Sequence, residues 1–250
     1  MNEDSSGETG GPADPVGDPI AGARRRLVEA AVPHVVFDGW SAETLERACE
    51  DTGIDRQTAA MAFPRGGVDM ALAFHRLMDA RLAAELAATD LGAMRIRERV
   101  THCVRRRLEL IDGERDAVRR GATLLALPIY ARDSAAAIWG TADMIWTACG
   151  DSSDDYNWYT KRAILSSVYS STLLYWLGDT SEGAEATWAF LDRRIENVMQ
   201  IEKAKAAVRK NPLGRMAMAP LDGVLSMIRP PHARGRSRGM PGGAAQPGEG

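Results

Sequence analysis

The 250-residue sequence predicts an all-α protein. Apolar residues recur at spacings of three and four in one segment after another, as a buried helical face requires. Regular apolar/polar alternation, the mark of a half-buried strand, is scarce. Ala, Leu, Arg and Met are abundant, and all four are strong helix formers. A chain of this length can hold one large domain or two small ones with a real core.

Met1–Pro19 carries Glu3, Asp4, Glu8, Asp14 and Asp18 without a base, among Gly, Pro and Ser. Such a composition predicts a disordered acidic tail over 1–19. The first helix is expected over Arg24–Val36, with Pro33 kinking or ending it. After the Gly39 turn, Ser41 is a good N-cap for a helix through Thr52, with Glu43 in its first turn and Gly53 closing it. Leu45, Ala48 and Cys49 give that helix one apolar face. Asp55 caps a short helix that stops at Phe63-Pro64. Gly66-Gly67 then leads into Val68–Leu86, where Val68, Ala71, His75, Met78, Leu82 and Leu86 fall near one face. Residues 20–87 thus read as a helix-turn-helix-like subdomain.

Residues 88–210 read as a second helical domain. Ile96, Val100, Cys103, Val104, Leu108 and Ile111 form a helical stripe. Gly121–Ala131 is uncharged and contains Pro128. Ser134–Cys149 carries one charge, Asp143. Asn157-Trp158-Tyr159 then opens a helix whose body, Ala163–Gly178, has no charge at all. An uncharged helix must be buried all round, line an apolar cavity or touch lipid. This one is too short to span a bilayer, which takes about 20 apolar residues, and it carries Ser166, Ser167, Ser170, Ser171 and Thr172. It is expected to be internal. Ser181 is placed to cap a last helix, Glu182–Lys210, with Ala186, Phe190, Ile195 and Val198 facing inward. The remainder, 211–250, is Pro- and Gly-rich, basic and expected to be largely disordered. From Gln200 to Met240 nine bases face only Glu202 and Asp222.

Catalytic patterns are missing. There is no GxSxG, no glycine loop ending in GK[ST] and no metal-spaced Cys/His cluster. Glu98 and His102 sit four apart, but among Arg95, Arg97, Arg99, Arg105 and Arg106, which marks a solvated charged face. A di-iron bundle needs two Glu-x-x-His pairs and further carboxylates. His34 beside Pro33 reads as structural, and His75 as packed between helices. Cys49, Cys103 and Cys149 are far apart and read as reduced core thiols. No catalytic residue, cofactor or metal is expected, and the chain is expected not to be an enzyme.

The order helix, helix, turn, short helix, Phe-Pro, long helix resembles the DNA-binding domain of the TetR repressor family. Its charge argues against that use. Between Trp40 and Phe63 only Arg47 and Arg56 face Glu43, Glu46, Glu50, Asp51 and Asp55, so phosphate neutralisation is poor. Thr58, Ala59, Ala60, Met61 and Ala62 lack the side chains that read base edges. Nucleic acid is therefore an unlikely partner. A ligand-responsive TetR-type regulator stands as the alternative function.

Four of the six tryptophans, Trp139, Trp146, Trp158 and Trp176, lie in the central part of the second half. With Tyr130, Tyr159, Tyr169, Tyr175 and many small Ser and Ala residues they suit an apolar pocket for a long ligand. The expected lining is Trp139, Trp146, Ile164, Val168, Ser171 and Tyr175.

Specific words complete the reading. Pro33-His34, Phe37-Asp38-Gly39-Trp40, Phe63-Pro64, Asp143-Met144-Ile145-Trp146, Asn157-Trp158-Tyr159-Thr160-Lys161-Arg162 and Thr187-Trp188-Ala189-Phe190-Leu191-Asp192-Arg193-Arg194 resemble the ubiquinone (coenzyme Q) biosynthesis accessory protein family, which has a TetR-like fold. The resemblance covers about Arg24 to Lys210. It implies a non-enzymatic protein that binds quinone-like isoprenoid lipid in its C-terminal bundle. It also implies that the protein presents this lipid to the demethoxyubiquinone hydroxylase at a membrane. The family's partner-binding motif falls on Met144, Trp158 and Tyr159, with Arg162 nearby. A homodimer through the last two helices is common for the fold.

The family's C-terminal membrane helix would fall on a segment interrupted by Pro212, Pro220 and Gly223. Arg215, Met216, Leu221, Leu225 and Ile228 are its expected membrane contacts, through basic and apolar side chains together. The acidic start of the chain suits neither a secretory leader nor a mitochondrial transit peptide. The expected place is therefore the cytoplasm, peripheral to the inner (cytoplasmic) membrane.

Overall fold

A computed structural model describes residues 18–153 and 156–210. All the regular structure in these residues is helical. Both tails, including the expected membrane residues Arg215, Met216, Leu221, Leu225 and Ile228, lie outside the described residues.

The described residues form nine α-helices in order: α1 (Pro19–Asp38), α2 (Ala42–Thr52), α3 (Arg56–Ala62), α4 (Gly67–Ala87), α5 (Ile96–Glu109), α6 (Arg115–Leu125), α7 (Ala131–Ala148), α8 (Tyr156–Gly178) and α9 (Glu185–Lys210). Local chemistry sets their ends. Asp18 caps α1 by accepting from the Ile20 N–H at 2.9 Å, and Pro19 occupies a first-turn position whose missing N–H costs nothing. Ser41 and Asp55 cap α2 and α3 through the N–H groups of Thr44 and Thr58. Gly53 closes α2 in the left-handed region at φ 67°. The first helix corrects one expectation. Pro33 does not end it; α1 continues to Asp38, where Gly39 stops it. The helix tolerates the proline because Leu27, Val28, Ala31, Val32 and Val35 are buried around it and hold its axis.

These helices form two compact units, each made of sequence segments that are not contiguous. The first comprises the chain through Ala80 together with Ile111–Ser134. The second comprises Arg81–Leu110 and the chain from Ala135. Sequence order groups α6 with the C-terminal helices, whereas contact groups it with α1.

Trp40 organises the first unit. Its ring is buried, lies 5.5 Å from Phe74 and donates its indole N–H to the Ala117 carbonyl on α6 at 3.0 Å. Two glycines let the backbone close around it. A Cβ on Gly121 would come 3.2 Å from the indole nitrogen. A Cβ on Gly67 would come 1.9 Å from the Trp40 carbonyl oxygen, a backbone atom that cannot swing aside. Arg120 ties α6 to the end of α1 through the Val36 carbonyl at 2.6 Å.

In the second unit Val100, Cys103, Val104 and Leu108 of α5 are buried, while Ile96, expected on the same stripe, is exposed. Arg106 pairs with Glu85 at 2.6 Å and Arg97 with Glu196 at 2.6 Å. Cys103 and Cys149 are both free and buried. Hydrogen bonding to Cys149 and burial both push the Cys103 thiol up, so it is protonated at neutral pH. The uncharged body of α8, 163–178, is not buried all round. Leu165, Val168, Tyr169, Thr172 and Trp176 are buried, whereas Ala163, Ser167, Leu174 and Tyr175 are exposed. Three of its hydroxyls are absorbed by the helix itself: Ser170, Ser171 and Thr172 donate to carbonyls one turn back. No described helix is long and apolar enough to cross a membrane.

Two glycines give opposite expectations. Gly67→Ala should destabilise the protein by about 3 kcal/mol, the upper range for overpacking. Gly140→Ala, mid-helix in α7 with open space around its Cβ position, should raise stability by up to about 1 kcal/mol. Thermal or urea unfolding of the two variants checks both signs.

Candidate functional site

Two short helical registers meet at the candidate site. Trp139 and Asp143 are four apart on α7 and share a face; Trp158 and Arg162 do the same on α8. The rings meet each other and the charges meet each other. Trp139 lies 5.9 Å from Trp158 and 6.3 Å from Tyr159, and Trp158 meets Tyr159 edge-on at 4.8 Å. One turn along, Arg162 donates from Nε to the Asp143 carboxylate at 2.5 Å.

Arg162 is 2% exposed. Its Nη1 also donates to Asp151 at 2.9 Å and to the Trp158 carbonyl at 3.2 Å. Its guanidinium carbon lies 4.0 Å above the Trp158 ring, a cation–π contact made out of water. Asp151 sits in the turn that follows α7, where Gly150 takes φ 81°. Its second oxygen accepts from Lys161 Nζ at 2.7 Å and from the Ser153 hydroxyl at 2.8 Å. Burial pushes the Asp151 carboxyl up, but the hydrogen bonds from Lys161, Arg162 and Ser153 outweigh it and hold it well below the usual carboxylate range. Lys161 in turn rests over Trp146 at 5.4 Å, and Trp146 donates its indole N–H to the Lys161 carbonyl at 3.0 Å.

The structure therefore sorts the sequence-derived residues. Of the partner-binding set, Met144 and Tyr159 are half-buried, while Trp158 (7% exposed) and Arg162 are internal. Trp158 opens the helix but is covered by the guanidinium above it and the two rings beside it. Of the expected cavity set, Trp139 joins Trp158 and Tyr159, and Trp146 joins Lys161. Ile164, Val168, Ser171 and Tyr175 follow one stripe of α8 by spacing. Along it Val168 is buried, Ile164 and Ser171 are half-buried, and Tyr175 is 40% exposed and stacks on Phe190 at 4.5 Å. Asp143 and Asp151 were not singled out as site residues. Arg162 calls for a counter-charge, but Asp154 and Asp155 lie nearer to it in the sequence, so the sequence alone does not select Asp143 and Asp151.

An open recess of about 660 Å3 lies in the first unit, walled by Val36, Trp40, Arg119, Arg120, Leu124 and Leu127. The two bases of α2 and α3 are already paired, Arg47 with Glu43 at 3.0 Å and Arg56 with Glu46 at 3.3 Å. Among the described residues no group of three or more His, Cys, Asp or Glu side chains could hold a metal ion.

Residues 131–202, which contain this whole cluster, match the COQ9 family model. The chain is similar to COQ9 proteins. It is similar to the protein named ubiquinone biosynthesis protein COQ9, mitochondrial, of Drosophila melanogaster, with 31% identity over 72% of this chain and 56% of that one. The proteins of the same name from Rattus norvegicus and Homo sapiens are 31% and 29% identical over 71% of this chain. The chain spans 59% and 58% of their lengths. Among solved structures, a TetR transcriptional regulator from Nitrosomonas europaea superposes with a TM-score of 0.58 at 18% identity, covering 70% of this chain and 97% of that one. The fold is all-α and TetR-like, as expected.

The depressed carboxyl of Asp151 sets a pH window. Its folded-state value lies below the unfolded value, so its contribution is full above about pH 4 and is lost as pH falls through the folded value. The difference in thermal midpoint between wild type and Asp151→Asn should be constant from pH 7 to about pH 5 and shrink steadily below about pH 4.

Proposed function

We propose that this protein is a non-enzymatic accessory protein of ubiquinone biosynthesis. In this reading it binds an isoprenoid or quinone intermediate and presents it to the demethoxyubiquinone hydroxylase at a membrane surface. The observation that carries the reading is the coincidence of the COQ9 match with the ordered cluster of Trp139, Trp158, Tyr159 and Arg162. The curated relatives are named for ubiquinone biosynthesis. The chain spans under two thirds of their length.

The mechanism is physical. Apolar side chains on α7 and α8 take up the isoprenoid tail by burial, at about 25 cal/mol per Å2 removed from water. The hydroxylase docks on the half-buried aromatic and thioether side chains, of the kind that dominate interface energetics. The protein works as a homodimer, peripheral to the inner (cytoplasmic) membrane; the relatives named above are mitochondrial. The TetR-type regulator is the rival that the fold likeness favours. The paired bases of α2 and α3 speak against it, because neutralised arginines release few counterions from DNA.

Tyr159→Ala should weaken hydroxylase binding by about tenfold or more, equal to about 1.4 kcal/mol, with the helical circular dichroism unchanged. An unaltered dissociation constant in a correctly folded variant would remove the docking reading. Gently extracted protein should carry one prenyl-chain lipid per subunit in native mass spectrometry. Protein that is uniformly empty argues against the cavity, and tight sequence-specific gel shifts at low salt would install the rival.

A further inference from the structure

Arg162 gathers three parts of the second unit at one point. Asp143 belongs to α7, Asp151 to the following turn, and the Trp158 carbonyl and ring to the first turns of α8. Both contacting carboxylates are themselves positioned: Asp143 by the α7 register, Asp151 by Lys161 and Ser153. The indole of Trp158 is therefore fixed from above by the guanidinium and at its sides by Trp139 and Tyr159. Half-buried Trp139, Met144 and Tyr159 remain accessible, and Trp158 supports Tyr159 from within.

A buried ion pair is a poor device for stability alone, since well-packed apolar residues commonly do as well. It is a good device for fixing a geometry, because a guanidinium fork accepts few arrangements. We propose that Asp151 and Arg162 are positioning residues for partner docking: they hold Trp158 so that Trp139 and Tyr159 present one preorganised contact surface. Trp139 is thereby a contact residue of that surface. This rests on the docking reading above and deepens it. The partner contributes an apolar recess that receives a tyrosine and an indole. Preorganisation of those side chains lowers the ordering cost of binding.

The test is a double-mutant cycle on the full-length chain, with the isolated hydroxylase as the probe and the dissociation constant as the readout. Tyr159→Ala, Trp139→Ala, Asp151→Asn and the Asp151→Asn/Tyr159→Ala pair are compared, each verified by far-ultraviolet circular dichroism. Asp151→Asn is expected to weaken binding by about fivefold to tenfold although Asp151 makes no contact with the partner, and Trp139→Ala by a similar factor. The pair should be little worse than Tyr159→Ala alone, because the lost positioning acts through that ring. A role confined to stability would lower the melting temperature and leave the dissociation constant unchanged, or give losses that multiply; either result overturns the positioning role. Unchanged binding with Trp139→Ala removes Trp139 from the surface. Unchanged binding with Tyr159→Ala overturns the docking reading itself, so the two failures are distinct. Should Asp151→Asn not fold, Asp143→Asn, which loosens the other side of Arg162 from a more exposed position, takes its place under the same criteria.

Discussion

A guanidinium in a protein interior must be met by charge and by hydrogen-bond acceptors, or the chain will not close over it. Arg162 imposes that condition on the second unit. Two carboxylates from different parts of the chain converge on it, together with a carbonyl one turn back and an indole face. Once these are satisfied, the end of α7, the turn through Gly150 and Asp151 and the start of α8 have little freedom left. The placement of Trp158, Tyr159 and Trp139 follows from that closure. The depressed carboxyl of Asp151 reflects the same closure, through hydrogen bonds from Lys161, Arg162 and Ser153 that outweigh its burial.

The first unit is organised by contact of a different kind. Trp40 is large, buried and hydrogen-bonded to a backbone carbonyl on α6, and it is enclosed by two glycines that leave it space. Such packing tolerates very little change in volume, because interiors are as dense as organic crystals. The helix-turn-helix shape is thus kept by a core that owes nothing to DNA. The surface of α2 and α3 has its arginines tied to its own glutamates. Scaffold and electrostatics have separate causes here, and a fold likeness to a transcriptional regulator says nothing about the second.

Much of the architecture was legible in the sequence because local rules wrote it. Ser41, Asp55, Gly39 and Gly53 mark helix ends by chemistry that acts within four residues. The misreadings share a cause. Pro33 is a helix breaker locally, yet burial on both sides of it carries α1 onward. Ile96 fits its stripe by spacing, yet it is left exposed. The uncharged body of α8 looks internal in the sequence, but exclusion of charge does not say which of its faces another element will meet.

The sequence by itself determined the helical class, the caps, the acidic character of α2 and α3 and the motifs that resemble COQ9 proteins. These depend on side-chain identity and on neighbours three or four residues away, which the order of residues states outright. Only the tertiary structure decided that α6 joins the first unit, that Asp143 and Asp151 are the partners of Arg162, and that Trp158 is the support beneath Tyr159. Those facts depend on which helices touch and at what register. A change of one residue in that register turns a side chain by about 100°, a difference that no local pattern records.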